Sequence, residues 1–217
     1  MKYLFVVAHP DDEVLGAGGF IKQVVDNGDE VSVVILNADY EKTRQGMMDD
    51  LLKSHKILGI NRRLLCSYTN MNFFREDQRG MVETIEKEIR EFCPDVIFTH
   101  YEKDIHSDHK ITSIITQQAA RLWQRHNDCH KVKALYFMEV MSSTNWGAND
   151  FVPDTYVDVK PEAIEAKLEA LRVYDNVLRP VPHPRSEEAI TGLAVIRGSE
   201  IGYAYAEAFK TCWRDYI

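Results

Sequence analysis

The sequence has no cysteine pair at C-x-x-C spacing, no apolar run of membrane-spanning length, no surplus of basic charge and no repeat or low-complexity tract. Each absence removes a class of protein. Cys66, Cys93, Cys129 and Cys212 are scattered, so no disulfide framework or cysteine-based zinc module is expected, and all four read as reduced thiols. Lys and Arg number 26 against 34 Asp and Glu, a formal net charge of −8. That sign repels nucleic-acid phosphates and anionic bilayers, so neither is an expected partner. Arg62-Arg63 reads as a solvated face. The apolar residues 3–8 are too few for a signal peptide, and they run into His9-Pro10-Asp11-Asp12-Glu13, not into small residues. A cytoplasmic protein is expected.

What is present is ordinary globular composition: 217 residues, 45% hydrophobic and 28% charged. That length predicts one domain, residues 1–217, with a core large enough to need no staples. Residues 2–8 read as a buried strand, followed by a helical stretch to about residue 27 that Gly28 caps. Residues 31–36 form a second strand, which completes a right-handed βαβ unit. The alternation continues with a helix over about 43–58, a strand at 63–66, a helix at 78–92 and a strand at 95–99. A helix over about 108–125, a strand at 133–138, a strand at 156–159 and a helix over about 161–174 follow. A proline-rich loop spans 179–185, and a helix runs from 186 to about 197. This pattern predicts an α/β, Rossmann-like architecture, a mostly parallel sheet with helices on both faces.

Two polar clusters stand out. Asp11-Asp12-Glu13 opens a helix, where carboxylates ordinarily cap free amides and face the positive end of the dipole. Its position gives it a second meaning, because open α/β sheets place ligands beyond the C-terminal ends of their strands. There His9 offers a nitrogen and Asp12 an oxygen anion, both of which zinc accepts. Gly16-Ala17-Gly18-Gly19 does not read as a nucleotide loop, since it lies inside the helix and three carboxylates precede it. Those glycines read instead as room for close helix–sheet packing. The second cluster, Asp104-Ile105-His106-Ser107-Asp108-His109, leaves the strand ending at Thr99 and reaches the same sheet edge. It supplies a third ligand and leaves a fourth tetrahedral position for water.

Together with Ala8, these two clusters resemble the zinc-dependent de-N-acetylases of the PIG-L/LmbE family. Pro182-His183-Pro184-Arg185-Ser186, Arg197-Gly198 and Ala206-Glu207-Ala208-Phe209 look like its bacillithiol-biosynthesis-type bacterial branch. The resemblance implies hydrolysis of an acetamide on an N-acetylglucosamine-type conjugate. It makes His9, Asp12 and His109 the ligands of one zinc per chain, with Fe²⁺ or Co²⁺ as substitutes. Asp11 becomes the general base, His106 the residue stabilising the tetrahedral intermediate, and Asp108 its supporting carboxylate. A cationic His106, favoured by Asp108, is expected beside the developing oxyanion.

The chain departs from the family at the helix after the second strand. Many members carry Arg-x-x-Glu there, and this sequence has Met47 and Asp50, with Arg44 one turn earlier to take the arginine's place. Arg44, Asp104, His183 and Arg185 are the candidate substrate contacts. The loop holding His183 and Arg185 is read as folding over the site, from its own or a neighbouring subunit, since related proteins form trimers or hexamers. His55, His100, His126 and His130 have no partner pattern and are assigned to packing or surface; Trp146 is a candidate crevice residue. The alternatives are an amidase for another amide, such as a thiol conjugate, and a metal-binding module without turnover. Asp11 and His106 weigh against the latter, because holding a metal requires neither.

Overall fold

The computed structural model describes residues 1–38, 47–147 and 151–215. Among them, β1 (Lys2–Val7), β2 (Glu30–Ile35), β3 (Arg62–Leu65), β4 (Val96–His100), β5 (Ala134–Met138), β6 (Thr155–Asp158) and β7 (Ala206–Arg214) join in one sheet. The strand order is β3-β2-β1-β4-β5-β7-β6. The first five strands in that order are parallel to their neighbours, and β7 is antiparallel to both β5 and β6. The helices are α1 (Asp12–Asp26), α2 (Met47–Leu58), α3 (Gln78–Phe92), α4 (Ser107–Ala120), α5 (Leu122–Arg125), α6 (Pro161–Arg172) and α7 (Glu187–Ser199).

The central strands are apolar on both faces because both faces are covered. Phe5, Val7, Phe98 and Met138 point into one layer, against Ile21 of α1, Leu51 of α2 and Leu168 and Leu171 of α6. Leu4, Val6, Ala8, Ile97 and Phe137 point into the other, against Ile85 and Ile89 of α3 and Ile115 and Ala119 of α4. Gly28 and Gly59 end α1 and α2 at φ +86° and +80°, a conformation in which a side chain would clash with its own backbone.

β7 is the element that the periodicity does not predict. It mixes Glu207, Lys210, Thr211 and Arg214 with apolar residues, and it inserts between β5 and β6. The helix expected over 108–125 is two helices, because Arg121 departs from helical geometry and lets Leu122 turn into the core. Of the helix expected over 43–58, α2 accounts for residues 47–58; residues 43–46, Arg44 included, lie outside the described residues. All four cysteines are free, and burial pushes the Cys66 thiol up to about 11. Among the described residues, no helix is long and apolar enough to cross a membrane.

Parallel pairing matters for function because it brings the C-terminal ends of β1, β4 and β5 to one edge. Val6 pairs with Thr99, and His100 pairs with Met138. The segments that follow, residues 8–12, 101–109 and 139–145, therefore meet there.

Candidate metal centre and cleft

The chain leaves β1 through Ala8, whose N–H donates to Nε2 of His100 at 2.9 Å. It then turns at Asp11, which has φ +94° and serves as N-cap of α1. Such a backbone is strained for a residue with a side chain and is found chiefly where function requires it. The turn brings Asp12 back beneath His9, whose N–H donates to Asp12 Oδ2 at 2.9 Å.

That one oxygen is the hub of the site. It lies 3.3 Å from His9 Nδ1, 3.3 Å from His109 Nε2 and 3.4 Å from His100 Nε2. Among the described residues, two overlapping groups have donor atoms close enough to share a cation, His9, His106 and His109, and Asp12, His100 and His109; the expected trio of His9, Asp12 and His109 draws on both. Hydrogen bonding separates them. A neutral imidazole has one nitrogen with a free lone pair. His100 uses its lone pair to accept from Ala8, leaving Nδ1 buried without a partner among the described residues. His106 uses its own, at Nδ1, to accept the Asp108 N–H at 3.2 Å. His9 and His109 differ, because each turns its second nitrogen toward a carboxylate. His9 Nε2 is 3.3 Å from Asp108 Oδ2, and His109 Nδ1 is 3.2 Å from Asp104 Oδ2. Carboxylate–histidine pairs of this kind fix the tautomer and free the other nitrogen for a metal. The two 3.3 Å spacings put Asp12 Oδ2 within ligand-to-ligand reach of both nitrogens. The donor set of His9, Asp12 and His109 fits such a cation.

The electrostatics of the bare protein have the same origin. Burial works against charge on His9, but Asp108 and Asp12 outweigh it and raise the imidazole to about 10. His109 is likewise lifted against burial, by Asp12 and Asp104, to about 9. Burial also opposes the charge on Asp12, yet His109 holds that carboxyl well below its usual range. Asp11 moves the other way: burial first, then the Asp12 charge, push it up to about 7, with Arg185 opposing.

The cluster lines a cleft of about 380 Å³ with Asn37, Met47, Asn70, Ile105, Ser142 and Arg185. Arg185 Nη1 sits 3.6 Å from Asp11 Oδ2, while its Nε donates to Ser142 Oγ at 2.9 Å. Met47 reaches the cleft in the helix expected to carry the family's arginine, and Asp50 lines a small pocket of about 60 Å³ beside Asp11.

Five residues stand differently from expectation. Asp104 does not face a substrate: it is fully buried and accepts from His106 N–H, Ser143 Oγ and Thr144 Oγ1 besides facing His109. Asp108 turns its carboxylate to His9 and to the N–H groups of Met71 and Phe73; only its backbone meets His106. Asp108 does favour the charged form of His106, as expected, but burial and then His109 and His9 outweigh it and lower the imidazole's pKa, while Nδ1 accepts the Asp108 N–H and so places the proton of the neutral ring on Nε2. His183 is exposed and outside the cleft lining, where its Nδ1 accepts the Arg185 N–H and shapes the loop. His100, read as a packing residue, instead stacks on His109 at 3.8 Å and 15°. Its one sequence signal is its place at the end of a central strand. Trp146 is 65% exposed on the loop after β5, His55 is buried against Glu13, and His130 bonds the Pro94 carbonyl.

The site is a histidine–aspartate cluster at the C-terminal edge of a mostly parallel α/β sheet, the edge where open sheets of this kind place their ligands. The model of the PIG-L family, GlcNAc-PI de-N-acetylase, matches residues 4–120, and the chain belongs to that family. It is 24% identical over 236 residues to diacetylchitobiose deacetylase of Thermococcus kodakarensis, covering 96% of this chain and 82% of that protein. Among solved structures, a conserved protein of Thermus thermophilus superposes with TM-score 0.82 at 22% identity, covering 99% of this chain and 96% of the other. The 4-carboxy-2-hydroxymuconate hydratase of Pseudomonas putida superposes with TM-score 0.78 at 19% identity, covering 100% and 98%. Those likenesses show the fold, and the hydratase shows that one fold serves more than one reaction.

Proposed function

We propose that the protein is a metal-dependent N-deacetylase that removes acetate from an N-acetylglucosamine-type conjugate. His9, Asp12 and His109 hold one zinc ion per chain, a donor set that Fe²⁺ or Co²⁺ also fits. The observation carrying this reading is that His9 and His109 each offer one nitrogen to Asp12 Oδ2 and back the other with a buried carboxylate. Family membership and the deacetylase relative support the substrate class.

A bound divalent cation supplies Lewis acidity, which acidifies water and polarises the acetamide carbonyl. The protein's own groups do the rest. Asp11, raised to about 7, is poised to accept a proton from the attacking water at neutral pH and to return it to the departing amine. Neutral His106 presents Nε2–H to the carbonyl oxygen as charge develops there. Arg185, anchored on Ser142, faces Asp11 and orients the polar end of the substrate. Acetate release from a panel of N-acetylglucosamine conjugates tests the reading. Turnover that chelation abolishes and added zinc restores is expected; metal-independent turnover, or none with any acetylated sugar, contradicts it.

A further inference from the structure

Helix α1 is not continuous: Ala17 has φ −153° and ψ 21°, so the turn over residues 12–16 is separate from the rest. A break of this kind leaves backbone groups on both sides without helical partners. Two side chains far along the chain satisfy them. Lys167 Nζ of α6 donates to the Leu15 carbonyl at 2.8 Å. Glu207 of β7 accepts from Gly19 N–H at 3.1 Å and Phe20 N–H at 2.7 Å. The two side chains meet at 2.7 Å, and they are 8% and 6% exposed.

Gly18 makes room for Lys167, since a Cβ there would lie 2.9 Å from Lys167 Cγ and 3.0 Å from Val14 Cγ1, whereas one at Gly19 would meet Val159 Cγ1 at 2.8 Å. The short turn ahead of the break carries Asp12, and its first hydrogen bond runs from Leu15 N–H to Asp11 O at 2.8 Å. One turn of helix has almost no stability of its own. Its orientation is set by what holds it: the histidine cluster at one end, the Glu13–His55 pair and buried Val14 and Leu15 along it, and at the other end Lys167, which Glu207 fixes to the helix beyond the break.

We propose that Lys167 and Glu207 are positioning residues that act through the break in α1 to aim Asp12 at the metal and Asp11 at the substrate. The proposal rests on the function proposed above. Breaking a buried ion pair by removing one partner unfolds many proteins, whereas an uncharged pair of similar shape is tolerated. The test therefore compares Lys167→Met with the double variant Lys167→Met/Glu207→Gln, and adds Gly18→Ala, in the full chain. Each is loaded with Co²⁺ for absorption spectroscopy and with zinc for affinity and kinetics. The double variant is expected to fold with a lowered Tm, because the Leu15 carbonyl and one of the Gly19 and Phe20 N–H groups lose their partners, and to show a shifted Co²⁺ visible band. Its kcat per zinc-loaded chain should fall about 10–100-fold, with KM little changed. Gly18→Ala, which presses on Lys167, should shift the band in the same direction. A folded double variant with the parental Co²⁺ spectrum and kcat overturns the proposal. The spectrum keeps this separate from the function itself: a parent that binds Co²⁺ but releases no acetate contradicts the deacetylase reading, while the band still reports on Asp12.

Discussion

Asp104 Oδ2 lies 3.2 Å from Nδ1 of His109, and the aspartate is fully buried. Ser143 and Thr144, from the loop after β5, donate to that same oxygen, so the orientation of His109 depends on two segments far apart in the chain, residues 104–109 and 143–144. Asp104→Asn keeps the shape and removes the charge. Zinc affinity should then weaken about 10–100-fold, as read by competition with a chromophoric chelator. Unchanged affinity removes Asp104 from the support of the site.

His100 flanks the proposed ligand set, and its lone pair is committed to the Ala8 N–H. His100→Ala should therefore retain parental zinc stoichiometry, while the orphaned Ala8 N–H costs about 1–3 kcal/mol of stability. Denaturant unfolding and metal analysis of the same preparation check both parts. Loss of metal in the folded variant would place His100 among the ligands.

Asp11→Asn separates metal binding from proton transfer. The variant should bind zinc as the parent does, yet its kcat should drop by about 10²–10⁴-fold. Full activity would mean that another group takes the proton.

Metal uptake should be linked to pH. In the metal-free protein the imidazoles of His9 and His109 are raised to about 10 and about 9, so both are cationic at pH 7. A metal needs each as a neutral ligand and must displace those protons. Affinity should accordingly strengthen as pH rises toward 9, by up to about tenfold per pH unit for each proton displaced. Titration calorimetry in buffers of different ionisation enthalpy should count about two protons released per zinc at pH 7. No proton release would show that the histidines are not the groups displaced.

Most of the architecture is legible in the sequence because short apolar runs bounded by Gly28, Gly59 and Pro94 alternate with amphipathic stretches of helical length. Residues 78–92, read as a helix from their periodicity, coincide with α3. β7 is not legible, because its buried Glu207 is neutralised by Lys167, 40 residues away, and such a pairing has no local signature. The two polar clusters are legible as partners at one sheet edge. Which carboxylate supports which histidine is not. Asp104 and Asp108 sit in one six-residue cluster, and their targets follow from loops that approach from outside it, residues 71–73 for Asp108 and 143–144 for Asp104. His100 illustrates the same limit, since its partner is the backbone of Ala8, 92 residues earlier.

The central claim is that His9, Asp12 and His109, and not His106 or His100, hold the metal. Elemental analysis after identical zinc loading and buffer exchange tests it most directly, on the parent, His9→Ala, Asp12→Ala, His109→Ala and His106→Ala. Close to one zinc per chain is predicted for the parent and for His106→Ala, with little or none in the other three as long as they remain folded. A parent that takes up no metal, or a folded His109→Ala that keeps its full complement, would contradict the account.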